Sequence, residues 1–198
     1  YFPAHAWQPG DVVLTNDPYA GNGSLAATHT NDYLAFHPLF FEGQLVAFSG
    51  LMVHHFDIGG MNMGTRGWGT EIYQEGLRIP PLKIVEAGEL DTKVMDIILT
   101  NTRTRDMLKN DVISQISSVQ VAADDVLALF RKYGNETMQA CFTELMDYSE
   151  RRTREALAAI PDGVYRHEEP LLDDGAMGGP FYLRVAITKQ GSDVTLDF

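Results

Sequence analysis

Cysteine is almost absent from this chain: Cys141 stands alone, so no internal disulfide can form, and a reducing, cytoplasmic setting is the expectation. Cys141 lies among apolar helix-forming residues and reads as a buried core thiol. Basic charge is also scarce, with 15 Lys and Arg against 27 Asp and Glu and a formal net charge of −12. That balance argues against a nucleic-acid backbone or an anionic membrane as partner. No run reaches the about 18 uninterrupted apolar residues of a membrane-spanning helix. The opening Tyr1-Phe-Pro-Ala-His lacks the basic start and apolar core of a signal peptide. There is no initiator Met, and Val194-Thr-Leu-Asp-Phe198 stops within a strand-like alternation, so the chain reads as a piece of a longer polypeptide. A nucleotide cradle is missing too. The Ala20–Leu25 loop has two glycines but no Lys-Ser/Thr ending, and nothing matches GxxxxGK.

What is present is a 44% hydrophobic, 198-residue sequence, long enough for one domain with a core or for one domain and part of another. Pro9-Gly10, Val12–Leu14 and Asn16-Asp17-Pro18 read as turn, short strand and turn. Tyr33–Phe36 and Leu39–Phe41 lead through a hairpin turn at Glu42-Gly43 into Gln44–Val53, a near-continuous apolar run that predicts a strand buried on both faces. From Asp91 the period becomes helical. Asp91 or Thr92 caps a short helix ending near Leu99, and a long one starts near Thr104 with the stripe Val112, Ile116, Val119, Ala123, Val126, Leu127, Phe130. Gly134-Asn135 stops it. A third helix runs from about Glu136 to Ala159, with Met138, Phe142, Leu145, Ser149, Ala156 and Ile160 expected inward. After the Pro161–Gly163 turn, Val164–Glu169 alternates as a strand, and Phe181–Thr188 with Val194–Phe198 forms a hairpin.

These elements predict an α+β fold: a mixed β-sheet core with a metal site, a long antiparallel helical hairpin, and the start of a further β unit. Three regions are expected, β-rich over 1–90, a helical arm over 91–161 and a truncated β-hairpin region over 162–198.

Two short segments concentrate chemistry. Ala27-Thr-His-Thr-Asn-Asp32 and Val53-His-His-Phe-Asp-Ile-Gly-Gly60 hold three of the six histidines, with acids beside them. A carboxylate and an imidazole at His29-x-x-Asp32 suit a first-row divalent metal (Zn, Mn or Fe), but can converge only in a loop or helical turn. The strand ending at His54-His55 delivers one of those two histidines to the centre, since neighbours alternate faces. His55 with Asp57 forms a rival pair. Between Asp57 and Thr70, five of fourteen residues are glycine, which predicts an irregular loop packed over a pocket. Its cation Arg66 is a candidate for binding a carboxylate or bicarbonate. Glu71 and Glu75, four apart, are candidate general bases near a metal. Asp173-Asp174 reads as turn acids. Two histidines and a carboxylate also occur in non-haem iron oxygenases, but with a wider His spacing on a β-barrel.

Gly10-Asp-Val-Val-Leu-Thr-Asn-Asp-Pro-Tyr19, His54-His-Phe-Asp-Ile-Gly-Gly60, Thr70-Glu-Ile-Tyr-Gln-Glu-Gly-Leu-Arg-Ile-Pro-Pro81 and Asp147-Tyr-Ser-Glu-Arg-Arg-Thr-Arg154 resemble the hydantoinase B/5-oxoprolinase family. The family includes the B-type components of N-methylhydantoinases, the C-terminal half of 5-oxoprolinases, caprolactamase β subunits, and acetone and acetophenone carboxylase subunits. The resemblance implies that His29, Asp32 and His54 are metal ligands. It implies ATP-dependent ring opening of a hydantoin, 5-oxoproline or lactam, a small-molecule substrate, and a hetero-oligomer in which a hydantoinase A-like subunit or domain binds ATP and phosphorylates the substrate carbonyl. A ketone carboxylase subunit is the alternative within the family, and a non-catalytic assembly subunit the alternative outside catalysis. The chain departs from the family's Gly-Gly-Thr-His-Leu-Pro-Asp: the approach Gly21–Thr28 is longer, and Thr30-Asn31 replace Leu-Pro. A changed pocket beside the metal is the expectation.

Overall fold

The computed structural model describes residues 1–23, 28–64, 69–173 and 178–198. The chain divides into two compact units, Tyr1–Asn135 and Glu136–Phe198.

In the first unit, β1 (Val12–Thr15), β2 (Asp32–Phe41), β3 (Gln44–His54), β4 (Leu82–Glu86) and β5 (Glu89–Leu90) form one sheet in the order β3-β2-β1-β4-β5. Every pairing is antiparallel, where a mixed sheet is expected from sequence. The tight turn between β2 and β3 explains part of this: Glu42 and Gly43 both take positive φ, 50° and 78°, the geometry of a two-residue hairpin. All four residues of β1 are buried, and β2 is buried through its first half.

β3 corrects the sequence reading. It contains no buried residue, and Phe48, Leu51 and Met52 are exposed. An unbroken apolar run is compatible with burial on both faces, but the topology puts β3 at the sheet edge, with a strand neighbour on one side only.

Helix α1 (Thr92–Thr100) is capped by Asp91, whose carboxylate accepts from the Lys93 and Val94 amides at 2.9 and 3.2 Å. Helix α2 (Arg105–Tyr133) follows a Thr104 N-cap and ends at Gly134, with φ of +80°. Of its predicted stripe, Val112, Ile116, Val119, Ala123 and Phe130 are buried whereas Val126 and Leu127 are half-buried, and α2 lies on β2 and β3. By length and composition α2 would pass for a membrane span, yet its Leu108, Val112, Ile116 and Val119 belong to the same core as Val12, Leu14, Tyr33 and Ile84. The division after Asn135 thus falls inside the stretch 91–161 read as a helical arm, because α1 and α2 give their apolar faces to the first unit's core.

The second unit contains helix α3 (Asn135–Ala158), whose first residue closes the first unit, and the antiparallel sheet β6 (Gly163–Leu171), β7 (Phe181–Gln190) and β8 (Asp193–Asp197). Met138 is the buried residue of α3. Leu145, Ser149, Ala156 and Ile160 are exposed, against the inward stripe predicted for them, and Phe142 is half-buried. Cys141 is exposed, not a core thiol. Arg154 joins helix to hairpin, with Nη1 2.7 Å from Asp193 Oδ1 and Nε 2.7 Å from Glu150 Oε1.

Candidate functional site

His29 to Asp32 forms a turn closed by the Asp32 amide on the His29 carbonyl at 3.0 Å. Such a turn is the local geometry that lets residues three apart converge. Asp32 then opens β2, and the β2–β3 register sets it directly across from His54, the last residue of β3. His54 Nδ1 lies 2.7 Å from Asp32 Oδ1. Asp32 is 4% exposed, whereas the His54 side chain is half exposed. The His29 ring stands nearly perpendicular to that of His54, centroids 6.0 Å apart. The three residues singled out from sequence therefore meet at one end of the hairpin.

Among the described residues, no three His, Cys, Asp or Glu side chains are arranged to hold a metal ion as they stand. Asp32 and His54 are joined by the hydrogen bond between Oδ1 and the ring. By donor type the set fits a divalent cation: a carboxylate and two imidazoles in close array. The Asp32 oxygen and the His54 nitrogen that meet at 2.7 Å are the two donors that a cation shared by these residues would use.

Next to this turn is an open cavity of about 420 Å³, lined by Tyr19, Thr28, Thr30, Thr70, Glu71 and Glu75 among others. Thr28 and Thr30 flank His29, so the turn that carries the imidazole also forms part of the cavity wall. Thr30, one of the two departures from the family pattern, is buried and its Oγ1 lies 3.3 Å from Glu75 Oε2. Asn31, the other, donates to the His55 carbonyl at 2.8 Å and accepts the His55 amide at 2.9 Å. Glu71 is exposed on the cavity side of a 3-10 turn, Ile72–Gln74, rather than on an α-helix with Glu75. Arg66 lies outside the described residues, as do Thr65, Gly67 and Trp68 of the same glycine-rich loop and Asp174.

The rival pair does not form a site. Asp57 is 1% exposed and accepts from the Arg103 amide at 2.5 Å, the Arg103 guanidinium at 2.7 Å, Thr102 Oγ1 at 3.1 Å and the Gly59 amide at 3.2 Å. Burial by itself would raise its pKa, but these donors, the Arg103 charge included, outweigh it and hold the carboxyl below its ordinary value. His55 is fully buried against Tyr33, ring centroids 4.5 Å apart. Burial pushes its pKa down, so the neutral imidazole is favoured.

Several residues that shape the site escaped the sequence reading. Asn16, read as turn chemistry, is buried; its side chain donates to the carbonyls of Thr30 and Leu77 at 2.5 and 2.8 Å and accepts the Ile79 amide at 2.6 Å. It ties the His29 turn to the segment after the cavity-lining 3-10 turn. Arg78 sits between the Tyr19 and Tyr73 rings, 5.6 and 5.4 Å from their centroids, with Nε 3.4 Å from Asp17 Oδ1. Gln115 is the third. A polar residue at a buried position of the α2 stripe, three after Val112, is the signal that could have exposed it.

Comparison with known proteins accords with this architecture. The hydantoinase B/oxoprolinase family matches residues 1–198. The B-type component of a putative D-/L-hydantoinase from Pseudomonas sp. (strain NS671) is 34% identical over 194 residues, 95% of this chain and 32% of that protein. The acetophenone carboxylase delta subunit of Aromatoleum aromaticum is 25% identical over 159 residues, 79% of this chain and 22% of that protein. The crystal structure of ATP-dependent caprolactamase from Pseudomonas jessenii aligns with a TM-score of 0.84 at 31% identity, covering 96% of this chain and 32% of that one. The chain thus spans about a third of the length of the curated hydantoinase relative. Matched by the family over all its residues, and sharing its fold with a solved caprolactamase, the chain belongs to the hydantoinase B/oxoprolinase family.

Proposed function

We propose that this chain carries the metal-bearing portion of a B-type unit that opens a cyclic amide in an ATP-dependent reaction. The observation that carries the reading is the Asp32–His54 pair, 2.7 Å apart with His29 beside it, in a chain 34% identical to the B-type component of a hydantoinase and 31% identical to an ATP-dependent caprolactamase. His29, Asp32 and His54 would hold a divalent ion (Zn, Mn or Fe), which would supply Lewis-acid stabilisation of the negative charge that develops as water attacks the activated ring amide. Glu71, on the cavity wall, is the candidate general base for the attacking water, and Arg66 is the candidate anchor for a substrate carboxylate. The ATP site is assigned to an A-type partner subunit or domain, consistent with relatives named as B or delta subunits and with a sequence that has no GxxxxGK segment.

The acetophenone carboxylase relative favours a second reading, carboxylation of a ketone with bicarbonate, at the lower identity of 25%. Product analysis of the complete complex with ATP separates the two: ring opening of a hydantoin, 5-oxoproline or lactam is expected, and product only from ketone plus bicarbonate would replace the first reading with the second. Metal analysis tests the centre. About one divalent ion per B-type unit is expected, lost in His29→Ala with assembly intact; a metal-free wild type that turns over substrate would remove the ion from the mechanism.

A further inference from the structure

β3 ends at His54 and His55 follows it directly, yet it is His54 that is paired with Asp32. A one-residue slip in a strand exchanges the faces of all its side chains, so something must decide which histidine serves the site. The β2–β3 ladder contributes, since the Asp32–His54 pairing is followed by reciprocal bonds between Asn31 and His55. The other face of the hairpin is held by Gln115 of α2, a residue 1% exposed. Its amide nitrogen donates to the Tyr33 carbonyl at 2.6 Å and to the Leu51 carbonyl at 3.0 Å, one on each strand. Both amide hydrogens are thereby used, so Oε1 is left as acceptor for His55 Nε2–H, 3.3 Å away. His55 Nδ1 is then a buried lone pair without a hydrogen-bond partner, the Asp111 carboxylate lying 4.0 Å off.

We propose that Gln115 is a positioning residue for the candidate centre: by taking His55 on the helix side and a carbonyl from each strand, it fixes the hairpin end so that His54 is the imidazole offered to Asp32 and His29. Among the buried residues of α2, Gln115 is the polar one; Val112, Ile116 and Val119 beside it carry no register information, and the Asp111 carboxylate on the same helix stops 4.0 Å short of His55 Nδ1. The apolar interface tolerates a shift of the strands. A side-chain amide with three specified partners does not. Gln115 touches neither the candidate ligands nor the cavity, so it acts only through the backbone of residues 33 and 51 and the ring of residue 55.

The inference rests on the reading of His54 as a ligand, and its test separates the two. In the full-length protein, Gln115→Met keeps the length of the side chain and removes every hydrogen bond. Competition with a chelator for Zn²⁺ is expected to show affinity weakened about 10–100-fold, the range for partners that orient a ligand without touching the metal. A crystal structure of the same variant without metal is expected to show the His54–Asp32 hydrogen bond broken. If wild type binds no Zn²⁺, the metal reading falls and the crystallographic distance alone decides the positioning claim. His55→Phe, which keeps a ring against Tyr33 but has no N–H, serves if Gln115→Met does not fold, and the same two changes are expected. A folded variant of either kind that retains both the hydrogen bond and wild-type affinity overturns the proposal, even if its melting temperature falls.

Discussion

Asp57 gathers four donors at a buried carboxylate and joins the end of the His54–Gly60 segment to the start of α2 through Thr102 and Arg103. Its lowered pKa has a direct consequence for acid stability. Unfolded, the group takes up a proton around its ordinary value of 3.8, whereas in the fold it resists until a lower pH. Its stabilising contribution is therefore complete above the unfolded value and is lost as pH falls through the folded one. Asp11, buried at the start of β1, works in the same sense: burial opposes ionisation, but the Ala87 amide, the Lys83 ammonium and the Gln8 amide overcome it. Asp57→Asn is expected to cost about 2–3 kcal/mol at neutral pH, the range for losing hydrogen bonds to a charged group, and to flatten the decline in stability below the unfolded pKa. Urea midpoints from about pH 7 down to about pH 3 measure both effects. An unchanged neutral midpoint would mean that Arg103 and Thr102 find other acceptors. At this scale the sequence singles out residues whose own chemistry is conspicuous, such as His29, Asp32 and His54, and the fold brings these three close together. The sequence is read poorly where a residue acts through partners far along the chain, as Asp57 does with Arg103, Asn16 with Ile79 and Gln115 with His55.

Among elements, the segment after His54 and the 3-10 turn at Ile72–Gln74 are held backbone against backbone. The Met61 amide donates to the Gln74 carbonyl at 2.8 Å and the Leu77 amide to the Ile58 carbonyl at 2.9 Å. Gly60 allows that approach: its φ is +75°, and a Cβ there would stand 2.5 Å from the Gln74 carbonyl oxygen. Gly60→Ala is thus expected to be strained twice, by conformation and by collision with main chain, and to cost about 1–3 kcal/mol or more. The 3-10 turn carries Glu71 and Glu75 on the cavity wall, so turnover should fall further than the loss of folded protein explains; activity normalised to folded fraction by circular dichroism checks this. A normalised activity equal to wild type would uncouple the contact from the cavity. The same scale shows why the buried face of α2 is legible in the sequence and the exposure of β3 is not. A stripe at 3.6-residue spacing reports burial on one helix face directly, whereas Gln44–Val53 is apolar in the same way whether its strand lies in the middle of a sheet or at its edge. Edge position depends on which strands pair, a long-range property that no window of residues contains. The inward stripe expected on α3 met the same limit: apolar spacing marks a face without saying what covers it.

At the scale of the molecule, the two units differ in how much apolar surface each buries within itself. The first has a core running from Val12 and Leu14 through Tyr33 and Ile84 to Met95, Leu108 and Val119. In the second, Met138 and Lys189 are the residues classed as buried among those described, and Tyr182, Leu183 and Leu196 are exposed. Lys189 reaches its position through Asp162, Nζ 2.6 Å from Oδ1; Asp162 is itself exposed, so the pair adds little stability. A three-stranded sheet needs an apolar face packed on something to be stable alone, and folding requires burial to offset about 1–2 kcal/mol of backbone entropy per residue. Expressed separately, residues 1–135 are accordingly expected to unfold in a single cooperative thermal transition. Residues 136–198 are expected to retain some α3 helicity, to lack a cooperative transition, and to bind a dye specific for exposed apolar surface. Scanning calorimetry of the two fragments decides it. A sharp endotherm from 136–198 as a monomer would mean that its helix and hairpin bury more against each other than the exposure of Leu145, Leu183 and Leu196 allows.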